Sequence, residues 1–280
     1  MRTRVSLTME IEKYIFVRGR KKLFTYEGKE QVRLWLEEGQ SYNSISQKLG
    51  MNPDTLSKMC KEEKIHIDNR KKYALNIDYF KKIDSKEKAY WLGFLSADGY
   101  VNKQRGYVRF ELQAKDEESL ILFNKAIGSN RPIKNILSAN KYLHKRLTIS
   151  NRTFTNSLAY HGCVQNKSLI LKPPKISNQY LLYWILGYYD GDGGICIFNG
   201  RKNSSKKRYK SYFTGTYEVL SFIKEYLNVG SSIRKEHNCT NTYNLTLTES
   251  KTKEFLSNAY DEDTIQYCMK RKYKKFLSIL

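Results

Sequence analysis

Two segments of this chain share a pattern that an ordinary packed helix does not need. One runs from Trp91 to Gly99 and the other from Ile185 to Gly193, and each is an apolar run that ends in an Asp-Gly pair. Each run predicts a helix. The C-terminal end of a helix carries partial negative charge, so an aspartate there is unfavourable by up to about 1 kcal/mol. Because this cost occurs twice, we expect Asp98 and Asp192 to serve a purpose other than stability.

Small residues in both runs predict that the two helices pack on each other. These residues lie four positions apart in each run: Gly93 and Ala97, then Gly187 and Gly191. Positions four apart share one face of a helix, and small side chains there let two backbones approach closely. If the helices pack through these faces, Asp98 and Asp192 emerge side by side at one end of the pair.

Two carboxylates in that position indicate a divalent metal site. Neighbouring ionised carboxylates repel each other, which raises the pKa of one of them unless a cation lies between them. A divalent cation relieves both this repulsion and the unfavourable helix ends. Oxygen ligands suit Mg²⁺ or Mn²⁺ better than zinc. Such an ion can activate water and stabilise the leaving 3′ oxygen of a phosphodiester.

The charge of the chain favours a nucleic acid as the partner. The 280 residues carry a net charge of +22, and 40% of them are hydrophobic, which is enough for a substantial core. Basic charge of this size implies a polyanion or an anionic surface. An AT-rich genome is the alternative source of part of the lysine excess. The longest apolar stretches are too short to span a membrane, so no membrane partner is expected.

The N-terminus and the cysteines indicate in which cellular compartment the protein works. Met1 to Arg4 is basic but no apolar segment follows, so a secretory signal is not expected. The five cysteines are scattered and form no Cys-x-x-Cys pair, which argues against a disulfide framework and a zinc site. We expect a reduced, cytoplasmic protein associated with the nucleoid, with an organellar matrix as the alternative.

Residues 29–64 read as three short helices. Gly39 and Gly50 end the first two, and Asn52 with Pro53 starts the third as N-cap and first-turn proline. This segment resembles a helix-turn-helix, whose last helix would enter the major groove and present Thr55, Lys58 and Lys61. A plain three-helix packing module is the alternative. Residues 1–28 form a basic N-terminal segment and residues 65–76 a basic linker.

The sequence predicts two repeats with the same order of α/β elements, residues 77–178 and 179–280. Each repeat begins with a motif helix, which strands and helices follow. In the first repeat, strands at 107–113 and 143–149 alternate between buried and wet positions. A basic, amide-bearing wet face can contact DNA bases and phosphates, although an ordinary solvated face is the alternative. The DNA-binding candidates on this face are Arg109, Glu111, Gln113, Lys115, His144 and Arg146.

A basic loop between two strands of the second repeat is a further DNA-binding candidate. Residues 201–208 would project along the duplex, and their cations would contact phosphates. The candidates here are Arg201, Lys202, Lys206, Lys207 and Arg208, with Lys210 on the following strand.

Both motif segments resemble the LAGLIDADG motif of homing endonucleases. Asp98 and Asp192 fall at its last acidic position, and Gly99 and Gly193 at its final glycine. The segment from Asn166 to Gly193, which includes two consecutive prolines, resembles the stretch that leads into the second motif of single-chain members. The resemblance covers residues 77–280.

The resemblance implies a pseudo-two-fold α/β fold with two saddle-shaped antiparallel sheets and a central pair of motif helices. It places the metal site at Asp98 and Asp192 with the adjoining Gly99 and Gly193. It also implies a basic residue near each scissile phosphate, for which Arg152 and Lys251 are the candidates. Ser96 departs from the motif, where the second copy has Asp190. That inner position is generally structural in the family.

The leading hypothesis is a monomeric, Mg²⁺-dependent endonuclease that cuts both strands of a long asymmetric DNA site and needs no protein partner. The helix-turn-helix-like segment would extend its binding to DNA. The alternative is a binder of the same fold without catalytic activity, either an intron RNA maturase or a transcription regulator.

Overall fold

A computed structural model describes residues 11–38, 40–65, 73–138, 141–165, 167–199, 207–237 and 239–280. The chain divides into two compact units, Met1–Tyr73 and Ala74–Leu280. Each unit buries an apolar core of its own. Among the described residues, no helix is both long enough and apolar enough to cross a membrane.

The N-terminal unit is a β-hairpin followed by three helices. Its elements are β1 (Ile15–Arg18), β2 (Lys21–Phe24), α1 (Tyr26–Glu37), α2 (Tyr42–Lys48) and α3 (Pro53–Glu62). Asn52 caps α3 by accepting a hydrogen bond from the amide of Asp54 at 2.8 Å. Gly50, with φ +57°, makes the turn before α3. The three helices lie where the sequence predicts them, and their helix-turn-helix function stays a prediction. Gly39 lies outside the described residues.

The sequence did not predict the hairpin in this unit. Its strands lie within residues 1–28, which the sequence indicates only as a basic segment. Each strand has four residues, of which Ile15 and Phe24 are buried. Such short strands do not show a readable alternation of apolar and polar residues.

The C-terminal unit contains two successive runs of similar elements. The first is α4 (Lys86–Asp98), β3 (Gly99–Asn102), β4 (Tyr107–Gln113), α5 (Glu117–Ala126), β5 (Lys134–Leu137), β6 (Leu143–Ser150) and α6 (Arg152–Tyr160). A short helix, α7 (Lys167–Ile170), follows. The second run is α8 (Leu181–Asp192), β7 (Gly193–Asn199), β8 (Lys207–Gly215), α9 (Tyr217–Tyr226), β9 (Arg234–Lys235), β10 (Tyr243–Leu247), α10 (Glu249–Ala259) and α11 (Lys270–Leu277).

The strands of each run form one four-stranded antiparallel sheet. The strand orders are β3-β4-β6-β5 and β7-β8-β10-β9. The two sheets share a register, because Gly99 pairs with Phe110 and Gly193 pairs with Phe213. The predicted duplicated α/β fold with two antiparallel sheets is therefore confirmed. Strands β3, β5 and β9 were not predicted, since they have only two to four residues.

The motif helices α4 and α8 pack on each other through their glycines, as predicted. A Cβ atom added to Gly93 would collide with the carbonyl oxygen of Trp184 and lie 2.9 Å from the amide nitrogen of Tyr188. A Cβ atom on Gly187 would likewise collide with the carbonyl oxygen of Tyr90. The two backbones are therefore in direct contact, and only glycine fits at these positions.

Candidate active site at the ends of the motif helices

The structure brings Asp98 and Asp192 together where the two motif helices end. Asp98 is the last residue of α4 and Asp192 the last residue of α8, and both are half-buried. A Cβ atom on Gly191 would lie 3.4 Å from Oδ2 of Asp98, so the Asp98 side chain lies against the second helix. Neither carboxylate accepts a hydrogen bond from another residue in the described part of the chain.

The surroundings of the two carboxylates disfavour their negative charge. Burial raises the pKa of Asp98 above its usual value. Burial, followed by the charge of Asp98, raises the pKa of Asp192 to about 6. The positive charges of Lys167 and Lys272 act in the opposite direction on both aspartates. The site therefore holds two carboxylates that repel each other and two lysines that partly offset the repulsion.

Lys272 is a buried lysine at the end of α8. Its ammonium group donates hydrogen bonds to the carbonyl oxygens of Tyr189 and Asp190, both at 2.7 Å, and of Gly193 at 2.6 Å. Burial lowers its pKa to about 8. The last carbonyls of a helix have no partner within the helix, so this cation satisfies the end that carries Asp192.

Lys167 has the corresponding position at the end of α4. Its ammonium group donates to the carbonyl oxygen of Leu95 at 3.0 Å and to that of Ala97. Burial lowers its pKa below the usual value. Each motif helix therefore ends in a carboxylate and is capped by a lysine from elsewhere in the chain, and of these two lysines Lys272 is buried and Lys167 is half-buried.

Sequence reasoning missed both lysines. The chain has 50 lysine and arginine residues, and nothing local distinguishes Lys167 or Lys272 from the others. The available signal was indirect: both motif helices lack a basic residue in their last turn, so their carbonyls need a partner from outside.

Two cavities flank the carboxylate pair. We call Asp98, Lys272 and the larger cavity the first half-site, and Asp192, Lys167 and the smaller cavity the second half-site. The larger cavity has a volume of 470 Å³ and is also lined by Glu111, Asp116, His144 and Arg271. The smaller cavity has a volume of 200 Å³ and is also lined by Ser96, Leu171, Thr214 and Thr216. The two half-sites match in their acid and lysine but differ in the rest of their lining.

The carboxylate pair fits a cation that needs few protein ligands. The described residues contain no group of three or more His, Cys, Asp or Glu side chains arranged to hold a metal ion. Magnesium is commonly held by one or two carboxylates, with waters and substrate phosphates as its other ligands. Two half-buried carboxylates without hydrogen-bond donors match that requirement. The carbonyl of Gly193, one of the two predicted backbone ligands, accepts the Lys272 ammonium, and Gly99 begins β3.

The structure does not bring the predicted basic residues Arg152 and Lys251 into this group. Arg152 begins α6, where its Cγ lies against Gly106. Lys251 lies in the first turn of α10 and pairs with Glu254 at 3.0 Å. Among the described residues, the cations that act on both aspartates are Lys167 and Lys272.

The first sheet has the alternation that the sequence predicts. Val108, Phe110 and Leu112 are buried. On the opposite face, Arg146 Nε donates to Glu111 Oε2 at 2.6 Å, and His144 Nδ1 lies 3.4 Å from Glu111 Oε1. The exposed Arg109 and Gln113 complete the candidates on this face, whereas Lys115 is exposed in the short 3₁₀ helix Ala114–Asp116 that follows β4 and so is not on the sheet as predicted.

The end of the predicted basic loop, residues 207–208, belongs to a strand instead. Lys207 and Arg208 belong to β8, where they pair with Asn199 and Phe198 of β7. The strand extends this far because antiparallel pairing satisfies its backbone polar groups. Arg208 Nε also donates to Glu249 at 2.6 Å. Lys210 Nζ lies 5.9 Å from the ring centre of Phe198. Arg201, Lys202 and Lys206 lie outside the described residues.

The candidates in the N-terminal unit lie together on one face of α3. Thr55, Lys58 and Lys61 are exposed, whereas Leu56, Met59 and Cys60 are buried. The exposed face of α3 therefore takes no part in packing the core of the N-terminal unit.

No protein-family model and no curated protein matches this sequence. Solved structures that are similar to it include three homing endonucleases bound to DNA. The LAGLIDADG homing endonuclease I-LtrWI bound to target DNA is 15% identical with a TM-score of 0.44, covering 73% of this chain and 90% of that one. The LAGLIDADG homing endonuclease I-SmaMI bound to cleaved DNA is 15% identical with a TM-score of 0.44, covering 71% and 88%. The LAGLIDADG meganuclease I-AabMI bound to uncleaved DNA is 12% identical with a TM-score of 0.38, covering 68% and 97%. The packed motif helices and the two antiparallel sheets of residues 74–280 form the duplicated α/β arrangement that the resemblance to the LAGLIDADG motif implies.

Proposed function

We propose that this protein is a DNA endonuclease that acts as a monomer and hydrolyses one phosphodiester bond on each strand of a long asymmetric site. One observation carries the proposal. Two half-buried carboxylates, Asp98 and Asp192, meet at the ends of packed helices although this arrangement disfavours their charge. A purely structural site would not need two like charges there.

The residues of the chain have distinct parts in this activity. Asp98 and Asp192 would hold Mg²⁺ or Mn²⁺. The ion would supply a Lewis acid that stabilises negative charge at the scissile phosphate. Lys167 and Lys272 satisfy the carbonyls that precede the two aspartates, which fixes the helix ends. Their charges lower the pKa of both aspartates and so favour the ionised forms that bind a cation.

The two sheets would hold the DNA. Arg109 and Gln113 are exposed on the first sheet, with Lys115 just beyond the end of β4. Lys207, Arg208 and Lys210 lie on β8 of the second sheet. With a net charge of +22, binding should neutralise many phosphates and weaken steeply with salt.

The test compares cleavage with binding. Asp98→Asn and Asp192→Asn keep the side-chain shape but remove the charge. Each should slow cleavage, with Mg²⁺ present, of a duplex that the wild-type protein selects from a genomic fragment library, by about a thousandfold or more. Affinity for the same duplex in the absence of metal should not fall.

Asp78→Asn is the matched control, because Asp78 is exposed and outside the site. It should cut at the wild-type rate. If both site variants also cut normally, the assignment of the site is wrong. If the wild-type protein binds a specific duplex but cuts nothing with Mg²⁺ or Mn²⁺, the alternative of a binder without catalytic activity is favoured.

We also propose that the N-terminal unit adds DNA affinity through Thr55, Lys58 and Lys61 on α3. The double variant Lys58→Gln/Lys61→Gln should reduce the slope of log K against log salt by about 0.9 for each phosphate that the variant no longer neutralises. The control is Lys13→Gln/Lys29→Gln, since these lysines already pair with Glu27 and Glu63. Equal slopes for the two double variants would contradict this role.

A further inference from the structure

Asp116 and Thr216 have the same place in the two repeats but use their side chains differently. Each comes directly before the helix that follows the second strand of its repeat, α5 and α9 respectively. Both residue types are favoured helix caps. Thr216 caps α9 by accepting from the amide of Val219 at 3.3 Å. Asp116 makes no capping hydrogen bond.

Asp116 instead pairs with an arginine from the second repeat. Arg271 Nε donates to Oδ1 and Arg271 Nη2 donates to Oδ2 of Asp116, both at 3.0 Å. Asp116 is 7% exposed and Arg271 is exposed, so the carboxylate of this two-bond ion pair is shielded from water and the arginine covers it from the solvent side. Arg271 is the neighbour of Lys272 in the first turn of α11. A carboxylate of the first repeat thus holds the segment that carries the lysine of the first half-site.

The start of α11 has a second anchor. The carboxylate of Asp190 accepts the amide of Met269 at 2.9 Å and the hydroxyl of Tyr90 at 2.7 Å. The hydrogen bond from Met269 to Asp190 holds the chain before Lys272, and the ion pair of Arg271 with Asp116 holds it beside Lys272. Together they fix the position and the rotation of the first turn of α11. Without the Asp116 ion pair, the first turn of α11 loses its direct attachment to the first repeat and keeps only contacts to the second repeat, and through Asp190 to Tyr90, among those described above.

Thr216 reaches the other lysine in a similar way. Its hydroxyl donates to the carbonyl oxygen of Leu171 at 2.7 Å. The amide of Leu171 in turn donates to the carbonyl oxygen of Lys167 at 2.7 Å. A residue of the second repeat thus holds the segment that carries the lysine of the second half-site. Asp116 of the first repeat therefore holds a segment of the second, and Thr216 of the second repeat holds a segment of the first.

We propose that Asp116 and Thr216 are positioning residues, each of which holds the lysine of one half-site and so controls the cleavage of one DNA strand. This inference rests on the proposed nuclease function. The two anchors differ in strength, because a two-bond arginine–carboxylate pair is stronger than one hydroxyl–carbonyl hydrogen bond. Removal of the Asp116 anchor therefore has the larger effect.

The first experiment measures the cleavage of each strand separately, with a different label on each strand of the duplex. The variant Asp116→Asn/Arg271→Met removes both charges, so that the buried carboxylate is not left without its partner. It should slow one strand by about tenfold to a hundredfold, which a shift of about 1 Å in a site can cause. Thr216→Val should slow the other strand by a smaller factor, and both variants should accumulate nicked DNA.

Conservative variants and a control separate positioning from general destabilisation. Thr216→Ser keeps the hydroxyl and should restore balanced cutting. The control Glu117→Gln/Lys145→Gln removes a 2.9 Å ion pair within the first repeat and should not bias the strands. Equal slowing of both strands by the Asp116→Asn/Arg271→Met variant would overturn the proposal.

The second experiment does not depend on cleavage. Acetic anhydride labelling of metal-free protein, read by mass spectrometry, reports the access to each lysine amine. Lys272 and Lys167 should be protected in the wild-type protein. Asp116→Asn/Arg271→Met should raise the labelling of Lys272 several-fold and leave Lys167 protected, and Thr216→Val should do the reverse.

Unchanged labelling of Lys272 and Lys167 in these variants would overturn the positioning roles, even if the enzyme cuts normally. The expected labelling in a protein that cuts no DNA would support the two anchors and contradict the nuclease function alone.

Discussion

The middle of the motif-helix pair and its C-terminal end follow opposite physical rules. In the middle, Gly93 and Gly187 let the backbones touch, and every residue from 89 to 97 is buried. At the end, Asp98 and Asp192 are two like charges in partly buried surroundings. The same two helices are therefore packed for stability along their length and electrostatically unfavourable where they end. This difference separates the residues that hold the fold from those that would carry the chemistry.

The inner motif position belongs to the structural region. Asp190 is buried and accepts the amide of Met269, while its Oδ1 has no hydrogen-bond partner in the part of the chain that the structure describes. Its counterpart Ser96 donates to the carbonyl oxygen of Leu92 and lies 3.2 Å from Cys163 Sγ. Both side chains bond to the protein interior, which agrees with the structural role that the family resemblance implied for this position.

The largest effect on stability should come from the middle of the pair. Gly187→Ala places a Cβ atom 2.8 Å from the carbonyl carbon of Tyr90 and 2.9 Å from the amide nitrogen of Phe94. The helices must separate, which should lower the free energy of unfolding by about 3 kcal/mol. Urea denaturation measures this. Gly230→Ala is the control, since its added methyl group meets open space. Similar losses in both variants would contradict direct backbone contact in the helix pair.

A cation should reverse the unfavourable electrostatics at the end of the pair. Mg²⁺ at about 100 times its dissociation constant should raise the free energy of unfolding by about 2.7 kcal/mol, since it binds the folded state. The measurement is the unfolding temperature of DNA-free protein as Mg²⁺ is added. Asp98→Asn/Asp192→Asn should abolish the increase. An equal increase in this variant would show that the ion binds elsewhere.

The smallest effect should come from one carboxylate in metal-free protein. Burial and Asp98 raise the pKa of Asp192 from 3.8 to about 6. The protonated Asp192 carboxyl fits the folded protein better than the charged carboxylate, because the folded-state pKa is higher than the unfolded one. The stability of the protonated form is therefore fully present below about pH 4 and is lost as the pH rises through about 6. Asp192→Asn avoids that loss. It should exceed the wild-type protein in stability by on the order of 1 kcal/mol at about pH 8 and by nothing at about pH 4.

Urea denaturation at these two pH values tests the difference, with the exposed Asp78, outside the site, changed to Asn as the control variant. A stability gain of the Asp192→Asn protein that is the same at both pH values would contradict a charge effect and indicate a change in packing.

Much of the fold could be predicted because its signals are local. The apolar motif runs, the small residues four positions apart and the alternation of strand β4 are all readable over about ten residues. The hairpin strands β1 and β2 and the short strands β3, β5 and β9 could not be read in this way. Their pairing depends on partners rather than on a pattern of their own.

The candidate site shows the same division. Asp98 and Asp192 could be recognised because each breaks a local rule at a helix end, and the glycine faces imply that they meet. Their lysines have no such signal: Lys272 bonds to Tyr189, 83 positions away, and Lys167 bonds to Leu95, 72 positions away. The family resemblance made Arg152 and Lys251 the candidate basic residues, whereas the fold brings Lys167 and Lys272 to the carboxylates.

The repeated Asp-Gly helix ends already specified a helix pair with two carboxylates at one end, because helix periodicity and residue size act between near neighbours. The cations that balance those carboxylates, the unequal cavities and the crossed anchors at Asp116 and Thr216 emerge only when distant segments pack. Hydrogen bonds and charge interactions act over a few ångströms in space, whatever the separation along the chain. For this reason the acids of the site are visible in the sequence, and the groups that surround them are visible only in the fold.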